Sequence, residues 1–213
     1  MFGGTFNPVH LGHLRAAEEV MELLKLHRVM FVPAFSPPFN KTSLVPFEHR
    51  MKMVRLAISG NSAFTVSDVE SRITGRSFTA LTLERLKMSR SKDRFFFIMG
   101  ADAFLELPKW YRPERVLELA DIVVLMRPPL DIKALHKSPL IHKDDKKKLI
   151  PGDGRSKISL RTYSSGRRII LLRTTPLDIS ATRIRSIIRR GKSAKYLLPE
   201  RIESYIISNK LYM

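Results

Sequence analysis

The chain has 213 residues, 38 Lys and Arg against 20 Asp and Glu for a formal net charge of +18, and no cysteine. That length can bury a sizeable core as a single domain over residues 1–213 without disulfides. No apolar run is long enough to span a bilayer and the first residues lack a signal-peptide pattern, so membrane and secreted classes are set aside and a reducing, cytoplasmic setting is expected. From the N-terminus, Gly3-Gly4 reads as a tight turn and Asn7-Pro8 as further turn chemistry, after which Leu14, Ala17, Met21 and Leu24 recur at helical spacing from Leu11 to Leu26. Val29–Pro33 is a short apolar strand, Ala34–Ser43 a loop, and Phe47–Ile58 a helix with Pro46 at its start. Phe64–Ser67 is a brief strand, Ser71–Arg76 a polar loop and Thr79–Met88 a helix. Arg94–Met99, apolar at consecutive positions and followed by Gly100, is the strongest strand and is expected inside a parallel sheet.

Ala101–Leu105 begins a short helix, Trp110-Tyr111 is an aromatic loop, Pro113–Leu119 is helical, and Ile122–Met126 is a strand stopped by Pro128-Pro129. Between Lys133 and Arg173 seven Lys and five Arg face three Asp, leaving +9, half of the chain's total. With Lys146-Lys147-Lys148 and the segment Pro151-Gly152-Asp153-Gly154-Arg155-Ser156, residues 131–168 read as a loop-like basic insertion with a solvated surface. Ile169–Leu172 is the last strand, Ser180–Arg190 a helix ending at Gly191, and Pro199–Ser208 a final amphipathic helix. Strands and helices alternate throughout, which implies an α/β fold, a parallel sheet flanked by helices, with ligands at the carboxyl ends of the strands. The loops Gly3–His13, Pro33–Lys41, Gly100–Asp102 and the turn before Ser180 all follow strands and are expected to converge on one site.

Two of these loops open helices. The helix that starts near His13 turns its first N–H groups and positive dipole end toward the Gly-rich segment, a recipe for holding a phosphate, with His10 and His13 at its mouth. The other histidines, at 27, 49, 136 and 142, are scattered and there is no cysteine, so no protein-bound metal is expected. Leu177-Asp178-Ile179-Ser180-Ala181-Thr182 enters a second helix through Asp and Ser caps, leaving the Ser180 and Thr182 hydroxyls near its positive end and Arg185 within reach of an anion there. Two such helix N-termini together suit a triphosphate better than either alone.

Gly3-Gly4-Thr5-Phe6-Asn7-Pro8-Val9-His10-Leu11-Gly12-His13 together with Ile179-Ser180-Ala181-Thr182-Arg183-Ile184-Arg185 resembles the nucleotidylyltransferase superfamily, and within it the bacterial nicotinate-mononucleotide adenylyltransferases. The narrower resemblance rests on the Ser36-Pro37-Pro38 loop with Lys41, Ser77-Phe78-Thr79, Gly100 and Asp102 after a strand, Trp110-Tyr111, and Leu197-Leu198-Pro199. It implies a Rossmann-like fold and the joining of ATP to nicotinate mononucleotide, giving nicotinate adenine dinucleotide and pyrophosphate, with Mg²⁺ carried on ATP. It further implies that His10, His13 and Arg185 act on the phosphates, and that Gly3, Gly4, Thr5, Phe6, Gly100, Asp102, Ile179, Ser180 and Thr182 bind ATP. Lys41, Thr79, Trp110 and Tyr111 would then bind the mononucleotide, with Trp110 stacking on its ring.

Two features depart from that pattern. The family's Pro-Pro-His-Lys is here Pro37-Pro38-Phe39-Asn40-Lys41, without the histidine and one residue longer. Family members also carry several strand residues before the Gly-Gly pair, and here only Met1-Phe2 do, so a short first strand or a start upstream of Met1 is expected. An adenylyltransferase for nicotinamide mononucleotide or phosphopantetheine is the rival of the same class. A basic nucleic-acid-binding protein is the rival of another class, although Tyr163 alone offers an aromatic platform in the basic stretch, and no nucleic-acid partner is expected.

Overall fold

The computed structural model describes residues 1–38, 44–126, 132–150, 156–162 and 165–213. They gather into two compact units, one of residues 2–77 and 177–213, the other of Met1 and residues 78–176.

In the first unit, β1 (Phe2–Gly4), β2 (Val29–Pro33) and β3 (Phe64–Val66) pair in parallel in the order β3-β2-β1, with Phe2 opposite Phe31 and Val29 opposite Phe64. The crossovers are α1 (Leu11–Leu24) and α2 (Phe47–Ile58), as parallel neighbours require. The buried face of α1 holds Gly12, Ala16, Ala17 and Val20, whose small side chains let the helix lie close against its neighbours, together with Glu19, which pairs with Arg15. A left-handed Lys25 (φ 51) ends the helix. The segment expected as a polar loop over 71–76 begins with a 3₁₀ turn at Val69–Arg72. The unit closes with α7 (Ala181–Arg189) and α8 (Glu200–Ser208).

The second unit carries β4 (Phe95–Gly100), β5 (Ala120–Met126), β6 (Lys157–Arg161) and β7 (Arg168–Arg173) in the order β4-β5-β7-β6. Met1 lies along β4, its N–H donating to the Phe96 carbonyl at 2.7 Å and its carbonyl accepting from the Ile98 N–H at 2.9 Å. Every residue of β5 is buried, as in a strand covered on both faces, and its one charged residue, Asp121, accepts from the Arg94 guanidinium and the Arg168 backbone N–H, each at 2.9 Å. The helices are α3 (Thr79–Ser89), α4 (Ala101–Glu106), α5 (Pro113–Leu119) and α6 (Ile132–His136).

The basic stretch corrects the sequence reading. The part of 131–168 that is described is not loop-like: it contains α6, a 3₁₀ turn over Lys143–Lys148, and β6. β6 runs antiparallel to β7, so the sheet is not wholly parallel. Charge frequency concealed a period of two: Ile158 and Leu160 point inward while Lys157, Ser159 and Arg161 face solvent. Leu135, Leu140, Ile141 and Leu149 are buried as well. Asp145, itself buried, accepts from the Arg161 backbone N–H (2.7 Å) and guanidinium (3.2 Å) and pairs with Lys148 at 3.0 Å, absorbing part of the positive charge. Pro128-Pro129, Tyr163 and most of the Gly/Ser-bearing segment lie outside the described residues.

Candidate functional site

Three of the four loops expected to converge belong to the first unit. Gly3 and Gly4 do not make a turn; both lie on β1, opposite Val32 and Pro33. The turn comes later, at Phe6 (φ 47), Asn7 and the cis Pro8. Gly4 is needed for closeness, since a Cβ there would come within 3.1 Å of the Phe6 ring.

The chain then reaches His10, whose extended backbone (φ −147, ψ 170) forms the N-cap of α1 and whose side chain is buried. His13, one turn on, accepts the His10 backbone N–H at Nδ1 (3.2 Å), and the two imidazoles stack with centroids 3.7 Å apart. Phe2 and Phe6 also pack on the His13 ring in T-shaped contacts, with centroids 5.9 and 5.2 Å away. Because Nδ1 accepts, a neutral His13 carries its proton on Nε2 and presents a directed N–H donor. A Cβ at Gly12 would crowd His10 Nδ1 at 3.1 Å, so the glycine makes room for the His10 ring, while Ile179, leading into α7, stands at ordinary contact distance of 3.7 Å from the same position.

The second helix start is therefore beside the first. Ser180 is the N-cap of α7, its hydroxyl accepting from the Arg183 N–H at 3.2 Å, and Ser180 and Thr182 are exposed. Arg185 reaches back as its spacing suggests, donating from Nη1 to the Asn7 carbonyl (2.8 Å) and from Nη2 to Thr182 Oγ1 (3.2 Å). Neither α1 nor α7 has an acidic residue in its first turn, although the Leu11 N–H of α1 donates to the Leu197 carbonyl at 3.1 Å and Asp178, just before α7, pairs with Arg183 at 3.4 Å. Two helix N-termini, two imidazoles, two hydroxyls and a guanidinium form a set of donors suited to several linked phosphates.

The loop after β2 is pinned to the same unit. Ala34 N–H donates to the Gly4 carbonyl (2.9 Å), Phe35 N–H to Glu70 (3.1 Å), and Ser36 exchanges two hydrogen bonds with Ser77 at 2.9 and 2.8 Å. Arg76 donates to the Pro38 carbonyl at 3.1 Å. Phe39, Asn40 and Lys41 lie outside the described residues.

In the second unit, Gly100 closes β4 and Asp102 stands exposed in the first turn of α4. Thr79 opens α3, and Phe78 just before it stacks on Tyr111 with centroids 4.6 Å apart. Trp110 lies beside β4, its ring 6.3 Å from that of Phe97. Glu84 of α3 clamps the following residues through Arg112 (3.2 Å) and Arg115 (2.8 Å), the first at φ 51. The aromatic loop is thus a fixed edge able to offer a flat ring face, and Thr79 is held next to it. Among the described residues no group of three or more His, Cys, Asp or Glu gathers to hold a metal ion.

Four contributors were missed as functional residues. Asn7 and Gly12 stand inside the N-terminal motif, but their roles depend on packing. Arg50 is 1% exposed and donates to the carbonyls of Thr5 (2.9 Å), Ala34 (2.6 Å) and Val45 (3.0 Å); burial holds its guanidinium below the ordinary value. The available signal was a charge on the apolar face of α2, three residues from Phe47 and four from Val54. Tyr212, which donates to Asn7 Oδ1 at 2.8 Å, had no local signal at all.

A family model described as cytidylyltransferase-like matches residues 1–187. The chain is 41% identical to a probable nicotinate-nucleotide adenylyltransferase of Geotalea daltonii and 40% identical to one of Geobacter sulfurreducens, in both cases over all of this chain and 96% of the relative. Among solved structures it is similar to the nicotinic acid mononucleotide adenylyltransferase of Plasmodium falciparum complexed with NaAD, with a TM-score of 0.73 and 20% identity over 99% of this chain and 95% of that one. At that identity the likeness concerns the fold, which is of the Rossmann-like kind expected from the alternation of strands and helices.

Proposed function

The chain belongs to the nicotinate-nucleotide adenylyltransferases of the cytidylyltransferase-like family, and from that premise we propose how its residues divide the work of joining ATP to nicotinate mononucleotide. A phosphate oxygen of the mononucleotide attacks the α-phosphorus of ATP. The new P–O bond forms as the bond to the β-phosphate oxygen breaks, and pyrophosphate leaves with the electron pair. No protein nucleophile is needed, so the protein contributes positioning and stabilisation of charge on the phosphates.

The observation that carries this reading is the stacked His10–His13 pair at the start of α1, with the Ser180-capped start of α7 packed beside it. His10 and His13 would donate to the phosphates, His13 through Nε2. Ser180, Thr182 and Arg185 would hold the β- and γ-phosphates, and the backbone of Gly3, Gly4, Thr5, Phe6 and Ile179 would line the ATP path. Gly100 and Asp102 would take a ribose. Trp110 would stack on the nicotinate ring, with Thr79 and the Tyr111 backbone at its carboxylate and Lys41 as a further contact.

The Mg²⁺ we expect is carried by the ATP phosphates, whose charge it partly neutralises. The absence of cysteine and the dependence on ATP support a cytoplasmic location, and no helix among the described residues is long and apolar enough to cross a membrane. Pairing of Asp145 with Lys148 and Arg161 supports a structural role for the basic stretch over a nucleic-acid one.

The test is incubation with ATP, Mg²⁺ and either nicotinate or nicotinamide mononucleotide, followed by product identification. Nicotinate adenine dinucleotide and pyrophosphate are expected. Faster turnover of the amide would overturn the substrate assignment, and steeply salt-dependent binding to DNA or RNA without ATP turnover would overturn adenylyl transfer itself.

A further inference from the structure

The turn that leads into His10 is held from outside by residues far away in sequence. After α8 the chain bends back through two non-glycine residues at positive φ, Lys210 (φ 50) and Tyr212 (φ 66), and both Leu211 and Tyr212 are buried. A left-handed conformation is costly for an aromatic residue and persists where the surroundings enforce it. What it achieves is the placement of one hydroxyl: Tyr212 donates to Asn7 Oδ1 at 2.8 Å, across 205 positions of sequence.

The same Oδ1 accepts the Val45 N–H at 3.3 Å, the Asn7 carbonyl accepts from Arg185, and the Thr5 carbonyl accepts from the buried Arg50. Asn7 is thus gripped on its side chain and its backbone. Three residues later His10 caps α1 and donates to His13. A shift at Asn7 passes through Pro8 and Val9 directly into the imidazole pair. Burial pushes the Tyr212 phenol above its ordinary value, so it stays an O–H donor at any pH where the protein works.

We propose that Tyr212 is a positioning residue: through Asn7 it fixes the turn that aims His10 and His13. The kinetic consequence rests on the adenylyl-transfer reading, but the structural one does not, and the test separates them. Tyr212→Phe leaves the ring in its slot and removes only the hydroxyl. Its kcat should fall about tenfold, the scale of one buried hydrogen bond, with KM for nicotinate mononucleotide changed less than twofold. The His10 and His13 imidazole NMR resonances should move in the same variant without any substrate. In an Asn7→Ala background the further change Tyr212→Phe should add less than a twofold loss, because the hydroxyl acts through Asn7. Tyr205→Phe is the control: it removes another hydroxyl bond, to His49 at 2.8 Å, and should leave kcat and both imidazoles as they are.

A Tyr212→Phe protein with wild-type kcat and unmoved imidazole resonances, differing only in melting temperature, would overturn the proposal. If the wild-type protein turns over neither mononucleotide, adenylyl transfer is what fails, and the imidazole resonances alone decide the role of Tyr212: moved, it stands; unmoved, it falls.

Discussion

Replacing His13 separates its two roles. Its Nδ1 accepts the His10 N–H, which is half of a capping box and supports the start of α1, while Nε2 is the donor expected to meet a phosphate. His13→Ala removes both. The cap is worth about 1 kcal/mol, a melting-temperature loss of roughly 2–4 °C for a chain of this size. One donor aimed at developing transition-state charge is worth about 2.7–4 kcal/mol, a fall in kcat of about 10²–10³. His13→Gln divides the two, because a glutamine at the third helical position can still accept the cap N–H but cannot reproduce the ring's outward donor or its stacking on His10. The expectation is near-native melting with kcat reduced on the same scale as in His13→Ala, followed by pyrophosphate release from ATP and nicotinate mononucleotide under saturating substrate. A His13→Gln enzyme with native kcat would refute the donor role and leave His13 as a helix cap. Stoichiometric tightly bound zinc, or a trapped adenylyl-histidine, would refute it differently.

Nicotinate mononucleotide should be preferred over the amide by roughly ten- to hundredfold in kcat/KM, since an amide NH₂ would face N–H donors at about 1–3 kcal/mol; equal values in a competition assay would sink the specificity assignment alone. Trp110→Ala should lose most of its kcat/KM toward nicotinate mononucleotide while melting within a few degrees of the wild type, because that ring is only half buried beside Phe97. Arg50→Lys should destabilise by at least about 2–3 kcal/mol, one lysine ammonium being unable to reach the four carbonyls, of Thr5, Ala34, Phe35 and Val45, to which the guanidinium fork donates; unchanged denaturant midpoints would show that water replaces the fork. Arg161 and Lys148 hold the Asp145 carboxyl well below the usual range, so its contribution is present above the unfolded value of about 3.9 and is lost as pH falls through the folded one. Asp145→Asn should therefore melt several degrees lower than wild type at neutral pH, with the gap narrowing in strong acid; a gap independent of pH would assign the loss to packing.

Much of the order of elements was legible from local signals. The helix Phe47–Ile58 and the strand Val29–Pro33 have the bounds that periodicity and proline suggest, with Pro46 at the helix start and Pro33 closing the strand. The two histidines and the Ser180 cap were likewise readable, being short-range chemistry at helix starts. The basic stretch was not, because the signal there was two inward-facing residues, Ile158 and Leu160, set among charges that merely face water. Side-chain alternation over five residues is weaker than a run of lysines to the eye, yet burial follows the alternation.

Capping and dipole effects act within a turn, so His10, His13 and the Ser180 cap at the two helix starts can be read from neighbouring residues alone. That Gly4 serves closeness to Phe6 and not a turn, that Gly12 makes room for the His10 ring, and that Arg50 and Tyr212 hold the segment between them is visible in the folded chain alone. The reason is range. A hydrogen bond spanning 205 positions has no period and no neighbouring residue to announce it, and the same tyrosine would read identically on an exposed tail. Its meaning arises when burial removes water and leaves Asn7 as the partner of its hydroxyl.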